Sequence, residues 1–161
     1  GRRQYPLMTY LVDHLPDAYL KEIAHHFASQ PPTVLPAQPS GLSSAVLERG
    51  RQLVHDGDAA RKIPACIACH GARLTGVQPN IPGLLGLPRD YVNAQFGAWR
   101  NKVRRAHAPD CMADITARLS LEDVAAISGW LAAQPMPLDP RPADTIARPL
   151  PLACGSDPEA R

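Results

Sequence analysis

Apolar residues along this chain recur at intervals of three and four, and almost nowhere do they alternate. Val46, Gly50, Leu53 and Val54 fall on one helical face, and Ser43 or Ser44 ahead of them supplies an N-cap. Pro88 and Asp90 open a second helix that carries Val92, Phe96, Trp99 and Val103 at helical spacing. Ser120 with Asp123 three residues on has the form of a capping box, and Val124, Ile127 and Leu131 continue on one stripe. Residues 17–29 carry a further apolar stripe. The pattern predicts an all-α chain. Gly50 lies inside the first of these helices and leaves room for another backbone to approach. Residues 55–87 are rich in Gly and Pro, which predicts a long wrapped loop ordered by something it surrounds.

Proline divides the chain. Eleven of its eighteen prolines lie within residues 31–39 and 135–158. Proline fixes φ and lacks an amide donor, so both stretches read as extended segments. The expected organisation is a leading piece over 1–30, a linker over 31–40, a domain over 41–135 and a proline-rich tail over 136–161. The leading piece is itself a partial repeat. A shift of 104 positions aligns Met8 with Met112, Leu15 with Leu119, Ile23 with Ile127, Ala28 with Ala132, Gln30 with Gln134 and Pro31 with Pro135. Leu11, Leu20 and Phe27 meet Ile115, Val124 and Leu131, which preserves the apolar stripe.

Composition adds one anomaly. The 161 residues are 45% hydrophobic, yet only eight are aromatic, so something other than large side chains fills the core. No apolar run approaches the ~18 residues that span a bilayer, and Gly1-Arg2-Arg3 does not open a signal peptide, which reads as a mature chain or a fragment. A net charge of +2 gives no reason to expect nucleic-acid binding.

The filler is indicated by Cys66-Ile67-Ala68-Cys69-His70, a C-x-x-C-H. Two thiols three positions apart at a helical turn can each add to a vinyl group on one edge of a porphyrin, and the adjacent histidine then reaches the iron. A thioredoxin-like C-x-x-C requires a βαβ context that this pattern lacks, and half a zinc site requires a second ligand pair. The sixth iron position needs a donor well separated in sequence and set before an ordered helix. Met112 meets that condition better than Met136 in the tail, Met8 in the partial repeat or His107 in a polar loop.

With these residues the chain resembles the class I cytochromes c, and within them the bacterial tandem dihaem (c-four) type. The resemblance covers roughly residues 41–135 and implies the class I cytochrome c fold, with helices wrapped around one haem c. Ile63-Pro64-Ala65-Cys66 is similar to the family's segment leading into the attachment motif. Pro79-Asn80-Ile81-Pro82-Gly83-Leu84 is similar to its proximal loop, which would make the Pro79 carbonyl the acceptor for His70 Nδ1–H. Met112-Ala113-Asp114-Ile115 is similar to the segment that supplies the methionine ligand. By the same resemblance Tyr91, Phe96 and Trp99 pack against the haem. A complete first copy of the repeat would place its own C-x-x-C-H upstream of Gly1, so the chain is either a fragment or has lost a haem, and the apolar stripe kept over 17–29 favours the fragment.

The resemblance implies electron transfer with His70/Met112 ligation, between a quinol-oxidising complex or dehydrogenase and a terminal oxidase or reductase. The alternative is an electron-input or output domain of a larger periplasmic redox complex. A haem peroxidase would need an open sixth position and an acid–base group above the iron, so no enzyme is expected. Covalent haem attachment in the family occurs outside the cytoplasm, which implies a periplasmic setting. There Cys111 and Cys154 either pair as a disulfide or remain thiols, depending on whether their Cα atoms come within ~6 Å. Residues 61–105 hold Arg61, Lys62, Arg73, Arg89, Arg100, Lys102, Arg104 and Arg105 against Asp90 alone. That excess of +7 is either a collar that steers an acidic redox partner or a solvated face balanced by haem propionates.

Overall fold

A computed structural model of the chain describes residues 3–30, 36–145 and 149–157. Of the expected linker, residues 31–35 lie outside the described residues. The elements run α1 (Pro6–Val12), α2 (Asp17–Ser29), α3 (Ser44–His55), α4 (Ile67–His70), α5 (Arg89–Arg100), α6 (Cys111–Arg118) and α7 (Leu121–Ala132). Four two-residue strands accompany them: β1 (Arg3–Gln4), β2 (Gly76–Val77), β3 (Ile81–Pro82) and β4 (Arg105–Ala106). β1 pairs antiparallel with β4, and β2 with β3. Among the described residues no helix is long and apolar enough to cross a membrane.

The starts of the main helices follow from local chemistry. The Ser43 hydroxyl oxygen accepts from the Val46 amide and begins α3. Pro88 precedes α5, which ends at Arg100, so Val103 lies beyond the helix on which periodicity placed it. At α7 the Ser120 oxygen accepts from Asp123 N–H while the Asp123 carboxylate accepts from Ser120 N–H, a complete capping box.

The core forms where α3 crosses α7. Leu53 and Val54 are wholly buried and join Val124, Ile127 and Leu131 in one cluster with Val92 of α5. Gly50 makes the crossing possible: a Cβ there would lie 2.2 Å from the Ala126 carbonyl oxygen and 2.8 Å from Trp130 Cβ. The loop over 56–87 contains a 3-10 turn, Ala59–Arg61, then α4 and the β2–β3 pair.

Asp123 holds that loop to the core. Its Oδ2 accepts from Arg61 at 2.6 Å and its Oδ1 from Arg49 at 3.3 Å, and both arginines also bond Asp58. Burial raises the Asp123 pKa, but the Arg61 hydrogen bond, the Ser120 amide and the two guanidinium charges outweigh it and set the carboxyl at about 2. A carboxyl with a depressed folded pKa stabilises the fold above its unfolded value near 4 and loses that contribution as pH falls through about 2. Asp123→Asn is therefore expected to cost about 2 kcal/mol at neutral pH, discounted for the half-exposed arginines. Urea midpoints of the two proteins should differ at pH 7 and converge near pH 2.

The leading helices repeat the α6–α7 pair with a different outcome. Eight residues of α7 are buried, whereas α1 and α2 bury none, and Phe27 is 70% exposed where its repeat partner Leu131 is 2% exposed. The segment after α7, expected as a proline-rich tail, runs back over the domain. Ala143 exchanges backbone hydrogen bonds with Gly76 and Gln78, and Asp139 pairs with Arg73 and Arg141.

Candidate functional site

Cys66 caps the four-residue helix α4, which brings Cys66, Cys69 and His70 onto one turn. The Cys66 thiol donates to the Leu53 carbonyl at 3.9 Å. Burial, with the neighbouring Cys69, pushes its pKa up to about 12, so it stays a neutral thiol at physiological pH. Among the described residues no three His, Cys, Asp or Glu side chains gather as a metal cluster.

His70 is buried, and its Nδ1–H donates to the Pro82 carbonyl at 2.8 Å. This corrects the expectation for Pro79. β2 and β3 pair Gly76 with Pro82 and Val77 with Ile81, which puts Pro79 in the exposed connection and Pro82 beside the α4 end. Within Pro79-Asn80-Ile81-Pro82 two prolines offered a carbonyl, and only strand pairing distinguishes them. The bond fixes the imidazole ring and makes Nε2 the basic nitrogen.

His70, Cys66 and Cys69 line a cavity of ≈ 1050 Å³, counting its open mouth. Leu53, Ile63, Leu84, Val92, Phe96, Ile115, Leu119, Ile127 and Leu131 supply most of its apolar wall. Met112 lines it too. Asp110 caps α6 by accepting from Ala113 N–H and also from Ala106 N–H, so Met112 sits in the first helical turn rather than in the preceding loop. The Thr116 hydroxyl donates to the Met112 carbonyl at 2.6 Å. Cys111 and Cys154 are joined in a disulfide with Cα atoms 5.0 Å apart. The sequence reading missed the part of the wall made by Leu150, Leu152, Ser156 and Asp157. A signal was present: in an extended segment Leu150 and Leu152 point to one side.

No family model matches the chain. A thiosulfate dehydrogenase electron acceptor from Thiomonas intermedia is 33% identical over 137 residues, covering 84% of this chain and 62% of that protein. Cytochrome c-554(548) from Halomonas halodenitrificans is 35% identical over 81 residues, 48% of this chain and 98% of that cytochrome. The solved structure of reduced cytochrome c4 from Pseudomonas stutzeri superposes with a TM-score of 0.64 at 30% identity, over 81% of this chain and 67% of that one. The chain belongs to the c4-type cytochromes c. It spans between 58% and 62% of the length of the first curated relatives it matches.

Haem c is the cofactor of this family, and the residues of this cytochrome fit it. Two thiols at C-x-x-C spacing, an imidazole with its Nδ1–H engaged and a thioether line one mostly apolar cavity. The other expected sulfur and imidazole donors lie elsewhere: Met8 is exposed on α1, Met136 approaches Gly86, and His107 is exposed.

Two residues expected to contact the haem, Tyr91 and Trp99, are not among those that line the cavity. On α5, Val92 and Phe96 line the cavity, whereas Tyr91, one residue off that face, is 47% exposed. Trp99 lies a turn further along the same face, where the Arg104 guanidinium stacks 4.4 Å from its ring centre, and its buried Nε1–H has no hydrogen-bond partner among the described residues. The cationic collar also changes. Arg61 and Arg73 pair with carboxylates, Arg89 and Arg100 donate to backbone carbonyls, and Arg104 bonds Gln95. Of that set, Lys62, Lys102 and Arg105 remain as exposed cations without such a contact among the described residues.

Proposed function

We propose that this cytochrome is a one-electron carrier in which Cys66 and Cys69 hold haem c by thioether bonds and His70 and Met112 are its axial ligands. The observation that carries the reading is the single apolar cavity lined by both thiols, the Pro82-bound imidazole and the Met112 thioether. Bound haem c supplies a ferric/ferrous couple. Pro82 holds the His70 ring in one orientation and raises its basicity as a donor. Met112 offers a soft sulfur that favours the ferrous state and raises the potential. Leu53, Phe96, Ile127 and Leu131 keep water from the site.

The likeness to a thiosulfate dehydrogenase electron acceptor supports electron uptake from a periplasmic dehydrogenase or a quinol-oxidising complex, with delivery to an oxidase or reductase. Lys62, Lys102 and Arg105 would meet an acidic docking surface. We read residues 1–30 as the end of a first cytochrome domain and 31–40 as the linker to a haem domain that begins near 41. The apolar stripe of α2, on which Leu20 and Ile23 are half-buried and Phe27 is exposed, aligns with the buried stripe of α7 and supports this reading. It also favours the second reading, a domain of a larger electron-transfer assembly.

Holoprotein made in a haem-attaching periplasm tests the assignment. Haem should stay with the polypeptide in acidic acetone, and the ferric spectrum should show the weak far-red band of a methionine–iron bond. Extractable haem, or a missing band together with rapid cyanide binding, would refute it.

A further inference from the structure

The segment Cys154-Gly155-Ser156-Asp157 touches both loops that carry the expected iron ligands. On one side the Cys154 sulfur is bonded to Cys111, the residue before Met112. Gly155 N–H donates to the Pro109 carbonyl at 2.8 Å in the same loop. The fit there is backbone on backbone, because a Cβ on Gly155 would lie 2.2 Å from the Ala108 oxygen and 2.6 Å from the His107 oxygen. On the other side the Asn80 side-chain amide donates to the Ser156 carbonyl. Asn80 connects β2 to β3, three residues after Val77 and two before the Pro82 carbonyl that holds His70. Cys154, Ser156 and Asp157 themselves line the cavity, and Asp157 is 4% exposed.

We propose that residues 154–157 are a clip that joins the His70 loop to the start of α6 along the cavity wall and positions Met112 as a ligand. The inference rests on the assignment of Met112 to the iron. Its physical basis is the location of Met112 in the first turn of an eight-residue helix, the part of a helix that frays most readily. A covalent link at Cys111 and a steric lock at Gly155 take away the freedom that fraying needs. External ligands reach the iron only when the methionine has left it, so their binding rate follows the population of the open loop. Cys111, Cys154 and Gly155 are thus positioning residues, which act on the site through the backbone of α6.

The test uses ferric holoprotein and two independent variants, the double variant Cys111→Ser/Cys154→Ser and the single variant Gly155→Ala. Cyanide should bind at least tenfold faster to the double variant and several-fold faster to Gly155→Ala, with a weakened far-red band and an unchanged helical circular-dichroism signal. Unmodified protein supplies a third arm that needs no refolding. Ascorbate reduces the haem and leaves the disulfide intact. A water-soluble phosphine also cleaves the disulfide, which takes up two electrons and two protons while the phosphine becomes its oxide with oxygen from water. Carbon monoxide should bind the ferrous protein faster after phosphine than after ascorbate. Rates within twofold of the parent in all three arms, even with a lowered melting temperature, would make the segment a stability element only and overturn the proposal. If the unmodified ferric protein lacks the far-red band, the Met112 assignment fails and the clip's role falls with it. A band that is present while the variants behave as the parent sinks the clip alone.

Discussion

Replacing Met112 by alanine is expected to lower the reduction potential by on the order of 0.2 V, a fraction of the ~0.8 V over which axial ligands move haem potentials. The thioether stabilises ferrous iron more than ferric, and the oxygen of a water that takes its place does the reverse. The fold should survive the change. Met112 is half-buried, and the helix start beside it is held by Asp110 and the Cys111 disulfide, neither of which the substitution touches. Potentiometric titration with the far-red band as a second signal checks the prediction. An unchanged potential would move the role to another donor, and Met136, beside Gly86, would be examined next.

Gly50→Ala should be the most damaging single methyl in the core, at about 3 kcal/mol, the upper end of ordinary overpacking. The obstacle is the Ala126 carbonyl oxygen, 2.2 Å from the new carbon, and a helix carbonyl yields only if the whole helix moves. The displaced α3 also carries Leu53, whose side chain lines the cavity and whose carbonyl accepts from Cys66, so haem retention should decline with stability. Gly97→Ala is the internal control. That glycine lies on α5 with nothing within 4 Å of a new Cβ, and the change should add up to about 1 kcal/mol through helix propensity. Urea denaturation followed by circular dichroism separates the two, and equal midpoints would show that α3 and α7 can part without cost.

Gly50, the α7 cap and the Cys66–His70 turn were visible in the sequence for the same reason: their chemistry is local. A glycine on an apolar helical stripe, a Ser-x-x-Asp box and a C-x-x-C-H each state their role within a few residues, and α3, α7 and the Cys66–His70 turn form where those patterns lie. What sequence left hidden depends on partners far apart in the chain. Pro82 rather than Pro79 meets His70 because β2 and β3 pair in one register out of several. Tyr91 was placed by resemblance, and it lies off the face that Val92 and Phe96 present to the cavity. The apparent +7 collar ignored Asp123 and Asp139, which lie outside the counted stretch yet hold Arg61 and Arg73. Proline content marked residues 136–161 as a tail, but composition says nothing about what a segment lies against.

The short β1–β4 pair has a mechanical consequence. β1 pairs with Arg105 and Ala106, and the Ala106 amide donates to Asp110, the residue that caps the helix carrying Met112. A pull on the leading helices would therefore be felt first at the start of α6, within a few residues of the Met112 sulfur.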